Sequence, residues 1–211
     1  MGPDRSTSSK SFSAEFLRES IDIISAIDPA TIEDLARSLA KVRFDGGRLF
    51  ILGVGGSAGH AGHAVNDFRK LCGFEAYAPT DNVSELTART NDEGWDTTFA
   101  AWLEVSRLSG LDGLLIFSVG GGDAERGVSA NIVNAIELAK SRGAMVCGIV
   151  GRDGGHTAKR ADCAVVIPPL VSDRITPHTE GLCAVIWHLL VSHPLLQSSA
   201  TRWESLQPAG R

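Results

Sequence analysis

Apolar residues recur with helical spacing twice before the first strand-like run. They fall at Phe16, Leu17, Ile21, Ile23, Ile24 and Ile27 within Phe12 to Ile27, and at Ile32, Leu35 and Leu39 within Ala30 to Val42. Asp28-Pro29 between them is a helix start signal. Arg48 to Val54 is a short, nearly unbroken apolar run and predicts a buried strand, followed by a helix over Ser57 to Leu71. Beyond it the pattern predicts a brief strand near Ala76-Tyr77 and helices over Ser84 to Thr90 and Trp95 to Leu108. Gly113 to Val119, Met145 to Val150 and Cys163 to Ile167 are short apolar runs bounded by turn residues and predict strands. Ser129 to Ser141 and a short turn at Thr157 to Arg160 connect them as helices. Pro177 opens a last helix that runs to about His193 and is closed by Pro194.

Strands of continuous apolar character alternating with helices predict an α/β fold, a three-layer parallel sheet covered on both faces, with two helices ahead of the sheet. In such sheets ligands bind beyond the carboxyl ends of the strands. The glycine turn after the first strand and Gly120-Gly121-Gly122 after a later one both fall at that edge. A length of 211 residues suits a single domain, here expected over residues 12–196, with a disordered leader over 1–11 and a polar tail over 197–211.

The net charge of -5 and the lack of a clustered basic face give no reason to expect nucleic acid as a partner. No apolar run reaches the ~20 residues needed to span a bilayer, so no membrane partner is expected. Cys72, Cys147, Cys163 and Cys183 are scattered without a CxxC pair, which fits reduced thiols and a cytoplasmic protein.

The candidate chemistry begins at Leu52-Gly53-Val54-Gly55-Gly56-Ser57. Its glycines let the backbone turn sharply and present N–H groups to an anion at a helix N-terminus. His63 and Asp67, four residues apart, share a face of the helix that follows. Glu180 and His188 stand eight residues apart on the last helix, among Leu182, Val185, Ile186 and Leu189, where polar groups need each other, a metal or a substrate. Gly53 to Ala58 also fits a loose GxGxxA dinucleotide fingerprint. No acidic residue ends a second strand about 20 positions on, which places nicotinamide chemistry last.

The chain resembles the sugar isomerase (SIS) domain family, and within it the phosphoheptose isomerases, from about Phe12 to His193. The resemblance rests on Gly55-Gly56-Ser57 with His63 and an acid four residues on, the segment Leu86 to Asp96, Ser129-Ala130-Asn131-Ile132-Val133-Asn134-Ala135-Ile136, and Gly151-Arg152-Asp153-Gly154-Gly155. It implies conversion of sedoheptulose 7-phosphate to a heptose 7-phosphate by a homotetramer with sites at subunit contacts. It also implies a zinc held by His, Glu, Gln and His. His63 matches the first ligand, and Asp67 stands where the family has Glu.

Two registers fit the last helix. Anchoring on Arg174-Ile175 puts Thr176 and Ala184 at the remaining ligand positions, whereas anchoring on the helix body puts Glu180 and His188 there and keeps the eight-residue spacing. The second is preferred, since it needs only an insertion in the preceding loop. It gives His63, Asp67, Glu180 and His188 as ligands of Zn²⁺ or another divalent ion, although eight residues of helix separate two Cα atoms by ~12 Å. By the same resemblance Asp67 and His188 are the acid–base pair for an enediol mechanism. Gly55, Gly56, Ser57, Asn91, Asp92, Ser118, Gly120, Gly121 and Ser129 are the substrate-binding residues.

The phosphate side departs from the family, whose loop here is rich in Ser and Thr. This chain reads Ser118-Val119-Gly120-Gly121-Gly122-Asp123, with an insertion through Gly127 before Ser129, and Asp123 would repel a phosphate if it pointed inward. The same departures keep two rivals in view. One is an SIS-fold binding protein without catalysis, like relatives that associate with the replication initiator DnaA. The other is an isomerase of a modified sugar.

Overall fold

The computed structural model describes residues 11–199. The expected leader, apart from Ser11, and the expected tail from residue 200 onward lie outside the described residues. Two helices, α1 (Phe12–Ala26) and α2 (Pro29–Phe44), precede β1 (Leu49–Gly53), α3 (Gly56–Cys72) and β2 (Ala76–Tyr77). Then come α4 (Val83–Asp92), α5 (Thr98–Val105), β3 (Gly113–Ser118), α6 (Ala130–Ser141), β4 (Met145–Val150), α7 (Gly155–Arg160), β5 (Cys163–Val166) and α8 (Ile175–Ser192). The strands form one parallel sheet in the order β2-β1-β3-β4-β5. No helix among the described residues is long and apolar enough to cross a membrane.

Alternation along the central strands divides the core in two. Leu49, Ile51, Leu115, Phe117, Cys147 and Ile149 pack with Leu35 and Leu39 of α2, Val65 and Phe68 of α3, and Ile186 and Leu190 of α8. Phe50, Leu52, Leu114, Ile116 and Val146 face the other way, onto Phe99 and Leu103 of α5 and Ile132 and Ile136 of α6. At the amino edge Arg48 clamps the sheet, with Nη2 2.8 Å from Asp112 Oδ2. Burial pushes the Asp112 carboxyl upward, but bonds from Arg48 and Ser109 outweigh it, so the acid titrates below its usual range.

Helix α1 lies outside this sandwich and buries only Ile23. It is tied to α8 by polar contacts instead. Arg174 pairs with Glu15 at 2.7 Å and with Glu19, and His178 Nε2 stands 2.9 Å from Glu19 Oε2 with its ring stacked on Phe16.

Several boundaries differ from the sequence expectation for local reasons. The helix expected from Trp95 starts only at Thr98, and it ends before Arg107, whose φ of 53° leaves the helical region. The last helix begins at Ile175, ahead of Pro177, because a proline in the first turn forfeits no intrahelical hydrogen bond. The inserted loop is a small hairpin in which Asp123 and Val128 exchange backbone hydrogen bonds of 2.9 and 3.1 Å. Asp123 Oδ1 accepts from the N–H groups of Glu125 and Arg126, so this carboxylate is spent on its own turn.

Candidate active site

The carboxyl end of β1 turns through Gly55, at φ 63° and ψ −127°, a conformation that a side chain would make costly. This turn launches α3. On α3 the four-residue spacing brings His63 and Asp67 onto the face that meets α8. Across the helix pair His188 completes a cluster whose ligand atoms all lie within 4.8 Å of one another. His63 Nε2 is 3.8 Å and His188 Nε2 3.9 Å from Asp67 Oδ2. The carboxylate is 7% exposed, while the imidazoles are 58% and 46% exposed. The cluster therefore has a buried anion at its base and two rings open to solvent.

Its hydrogen bonds set the ring roles. His188 Nδ1 lies 2.7 Å from the Ala184 carbonyl, which only accepts, so Nδ1 carries the proton and Nε2 keeps its lone pair toward Asp67. Asn66 Nδ2 donates to Asp67 Oδ1 at 2.8 Å, leaving Oδ2 free for the cluster. Two imidazoles and a carboxylate are a donor set suited to Zn²⁺ or a similar divalent ion. Ligand atoms about 2 Å from a tetrahedral ion lie roughly 3.3 Å apart, so the observed spacing fits with a small contraction.

Glu180 is not brought into this cluster. It sits two turns before His188 on α8, and at ~1.5 Å per residue a straight helix keeps the two apart. Its carboxylate lies against Gly56, where a Cβ would be only 2.5 Å from Oε1. It makes no hydrogen bond or ion pair among the described residues, so the glycine turn seats a side chain of this chain.

The remaining predicted residues fall into separate places. Ser57 is buried in the first turn of α3. Asn91 and Asp92 end α4, exposed, with Asn91 Nδ2 donating to Asp92 Oδ1 at 2.7 Å. Ser118 Oγ accepts from Gly121 N at 3.0 Å, so its hydroxyl shapes the loop that follows β3. Gly121 meets the Gly154 carbonyl, which would stand 1.9 Å from an added Cβ, and only glycine lets the two loops dock backbone to backbone. Ser129 caps α6 at φ 50° without a side-chain hydrogen bond. Beside it Asn131 is fully buried, with Nδ2 unpartnered among the described residues. A cleft of about 720 Å³ opens at this edge, lined by Gly120, Gly122, Asp123, Arg126, Arg152 and Lys159 among others.

Sequence reasoning left two residues without a role at the site. Trp187 lies fully buried with its ring against both His63 and His188. The signal was its position next to His188. Asn131 stood in a quoted motif, but nothing in its sequence neighbours indicates an unpaired buried amide.

Comparison with known proteins agrees with this architecture. The SIS domain family matches residues 15–151. Over 175 residues the chain is 35% identical to the lincomycin biosynthesis protein LmbN of Streptomyces lincolnensis, covering 76% of this chain and spanning 60% of that relative's length. It is 33% identical to the phosphoheptose isomerase of Solidesulfovibrio magneticus, covering 79% of this chain and 80% of that one. Among solved structures, phosphoheptose isomerase GmhA from Neisseria gonorrhoeae superposes with a TM-score of 0.75 at 25% identity, over 85% of this chain and 96% of that chain. The chain belongs to the SIS domain family and, within it, stands with the phosphoheptose isomerases.

Proposed function

We propose that this protein is an aldose–ketose isomerase of a sugar phosphate, converting sedoheptulose 7-phosphate to a heptose 7-phosphate. The observation that carries the reading is the convergence of His63, Asp67 and His188 from two helices. Such an isomerisation removes a proton beside a carbonyl and returns one to the neighbouring carbon. Asp67 is the base, its Oδ2 being left free by Asn66, and His188 is the acid in the form whose Nε2 is protonated rather than bound to an ion. His63, Asp67 and His188 would hold a divalent ion, Zn²⁺ by ligand type. When bound, it supplies Lewis acidity toward the substrate's carbonyl and hydroxyl oxygens.

The carbohydrate chain would lie along α8 toward the glycine turn, where Gly55, Gly56, Ser57 and the Glu180 carboxylate meet it. Its phosphate would sit at the sheet edge between Ser118, Gly120, Gly121 and Ser129, with the α6 N-terminus as donor. Asn91 and Asp92 contribute from α4.

Exposed Phe12, Leu17 and Ile21 on α1 and Val185 and Leu189 on α8 supply apolar surface for assembly, and we propose a homotetramer. Four free thiols support a reducing, cytoplasmic setting.

A second reading has its own observation. The hairpin at residues 123–128 reshapes the phosphate edge, and the chain resembles a protein of lincomycin biosynthesis, which favours a modified sugar phosphate over the seven-carbon one. Turnover of a panel of ketose phosphates of different chain length, with Zn²⁺ supplied, separates the two. Sedoheptulose 7-phosphate supports the first reading, and a preference for another chain length supports the second.

A further inference from the structure

Trp187 is fully buried, and its ring touches both imidazoles of the cluster. Its centroid is 3.5 Å from that of His188, with the planes 27° apart, and 4.7 Å from that of His63 at 66°. The two imidazoles stand 5.4 Å from each other, nearly perpendicular. One indole thus forms the floor under a pair of rings that come from different helices. Its Nε1–H is buried without a hydrogen-bond partner among the described residues. Burying a lone donor is unfavourable, and a phenyl ring would fill much of the same core space without one. Packing alone does not account for an indole here.

The chemistry of the ring does. An imidazole that gives its lone pair to a divalent ion becomes electron-poor, and the electron-rich face of an indole stabilises such a ring more than a neutral one. Contact on two sides also fixes the ring orientations, which is how groups behind metal ligands raise affinity. We propose that Trp187 is the positioning residue of the cluster, setting His63 and His188 for a divalent cation and favouring their metal-bound form. The inference rests on the reading of His63, Asp67 and His188 as ligands.

The test is a titration of the full-length protein with ZnCl₂, by calorimetry and by indole emission, in wild type, Trp187→Phe, Trp187→Leu and Ile186→Ala. Ile186 is a buried neighbour on the same helix and controls for a general loss of packing. Trp187→Leu is expected to weaken Zn²⁺ binding about 10–100-fold, the range for groups that support metal ligands. Trp187→Phe, whose ring face is less electron-rich, should lose part of the affinity and lose the emission change on titration, and Ile186→Ala should lower thermal stability with affinity little changed. Equal affinity in wild type and Trp187→Leu overturns the inference alone, as does an equal loss in Ile186→Ala. Should Trp187→Leu fail to fold, Trp187→Phe decides it, because wild-type Zn²⁺ affinity there overturns the role of the indole face and a weakened affinity supports it. A wild-type protein that binds no Zn²⁺ overturns the ligand reading and this inference together.

Discussion

Asp67 does two things at once in the proposed chemistry. Its Oδ1 is held by Asn66, while Oδ2 faces both imidazoles at 3.8 and 3.9 Å. Asp67→Asn removes the anion and keeps the shape, so kcat is expected to fall by about 10²–10⁴-fold, the usual contribution of a general base. Retained circular dichroism, thermal stability and Zn²⁺ content would show that the loss is chemical. Glu180 gives the opposite expectation. Its carboxylate lies on Gly56, away from the cluster, so Glu180→Ala should leave Zn²⁺ affinity within about 3-fold, while KM for the sugar phosphate rises. A Zn²⁺ affinity that collapses in Glu180→Ala would place this residue among the ligands.

Helix α1 is held to the body chiefly by Glu19, which binds both Arg174 and His178. The Arg174 guanidinium, and then His178, hold the Glu19 carboxyl down at about 2, below its ordinary 4.5. A depressed acid contributes stability above its ordinary value and loses it as pH falls through the folded one. Glu19→Gln should therefore melt earlier than wild type at neutral pH, and the gap should close between pH 4.5 and about 2. Paired thermal melts across that range check it.

The strands and the long helices were legible in the sequence because their apolar spacing is unbroken, as in Gly113 to Ser118 and Phe12 to Ala26. The hairpin at Asp123 was not, since its pairing depends on an Asx turn that polar composition does not announce. At the site, the spacing of His63 and Asp67 was enough to place them on one face. Whether His188 or Ala184 met them turned on helix register, which only packing of α8 against α3 decides. Eight-residue spacing allowed Glu180 as a partner of His188, and the straight helix carries its carboxylate to the glycine turn instead.

As a single chain the protein leaves both histidines of the cluster open to solvent, beside Val185 and Leu189. Covering those rings by a second copy would exclude water from the reacting carbons and strengthen every polar contact there. Light scattering on the purified protein should give a mass of about 89 kDa, four chains of 22.3 kDa each. A mass of one chain would leave the cluster uncovered and count against assembly. Phe12→Asp and Ile21→Asp together should split the proposed tetramer and lower kcat at once.

One cluster of two histidines and an aspartate is thus proposed to isomerise a sugar phosphate. This is tested most directly by following sedoheptulose 7-phosphate with the purified, Zn²⁺-supplied protein by NMR. A heptose 7-phosphate product is expected, formed by wild type and lost in Asp67→Asn. No conversion of this or any other ketose phosphate, by a folded protein with metal present, would contradict it.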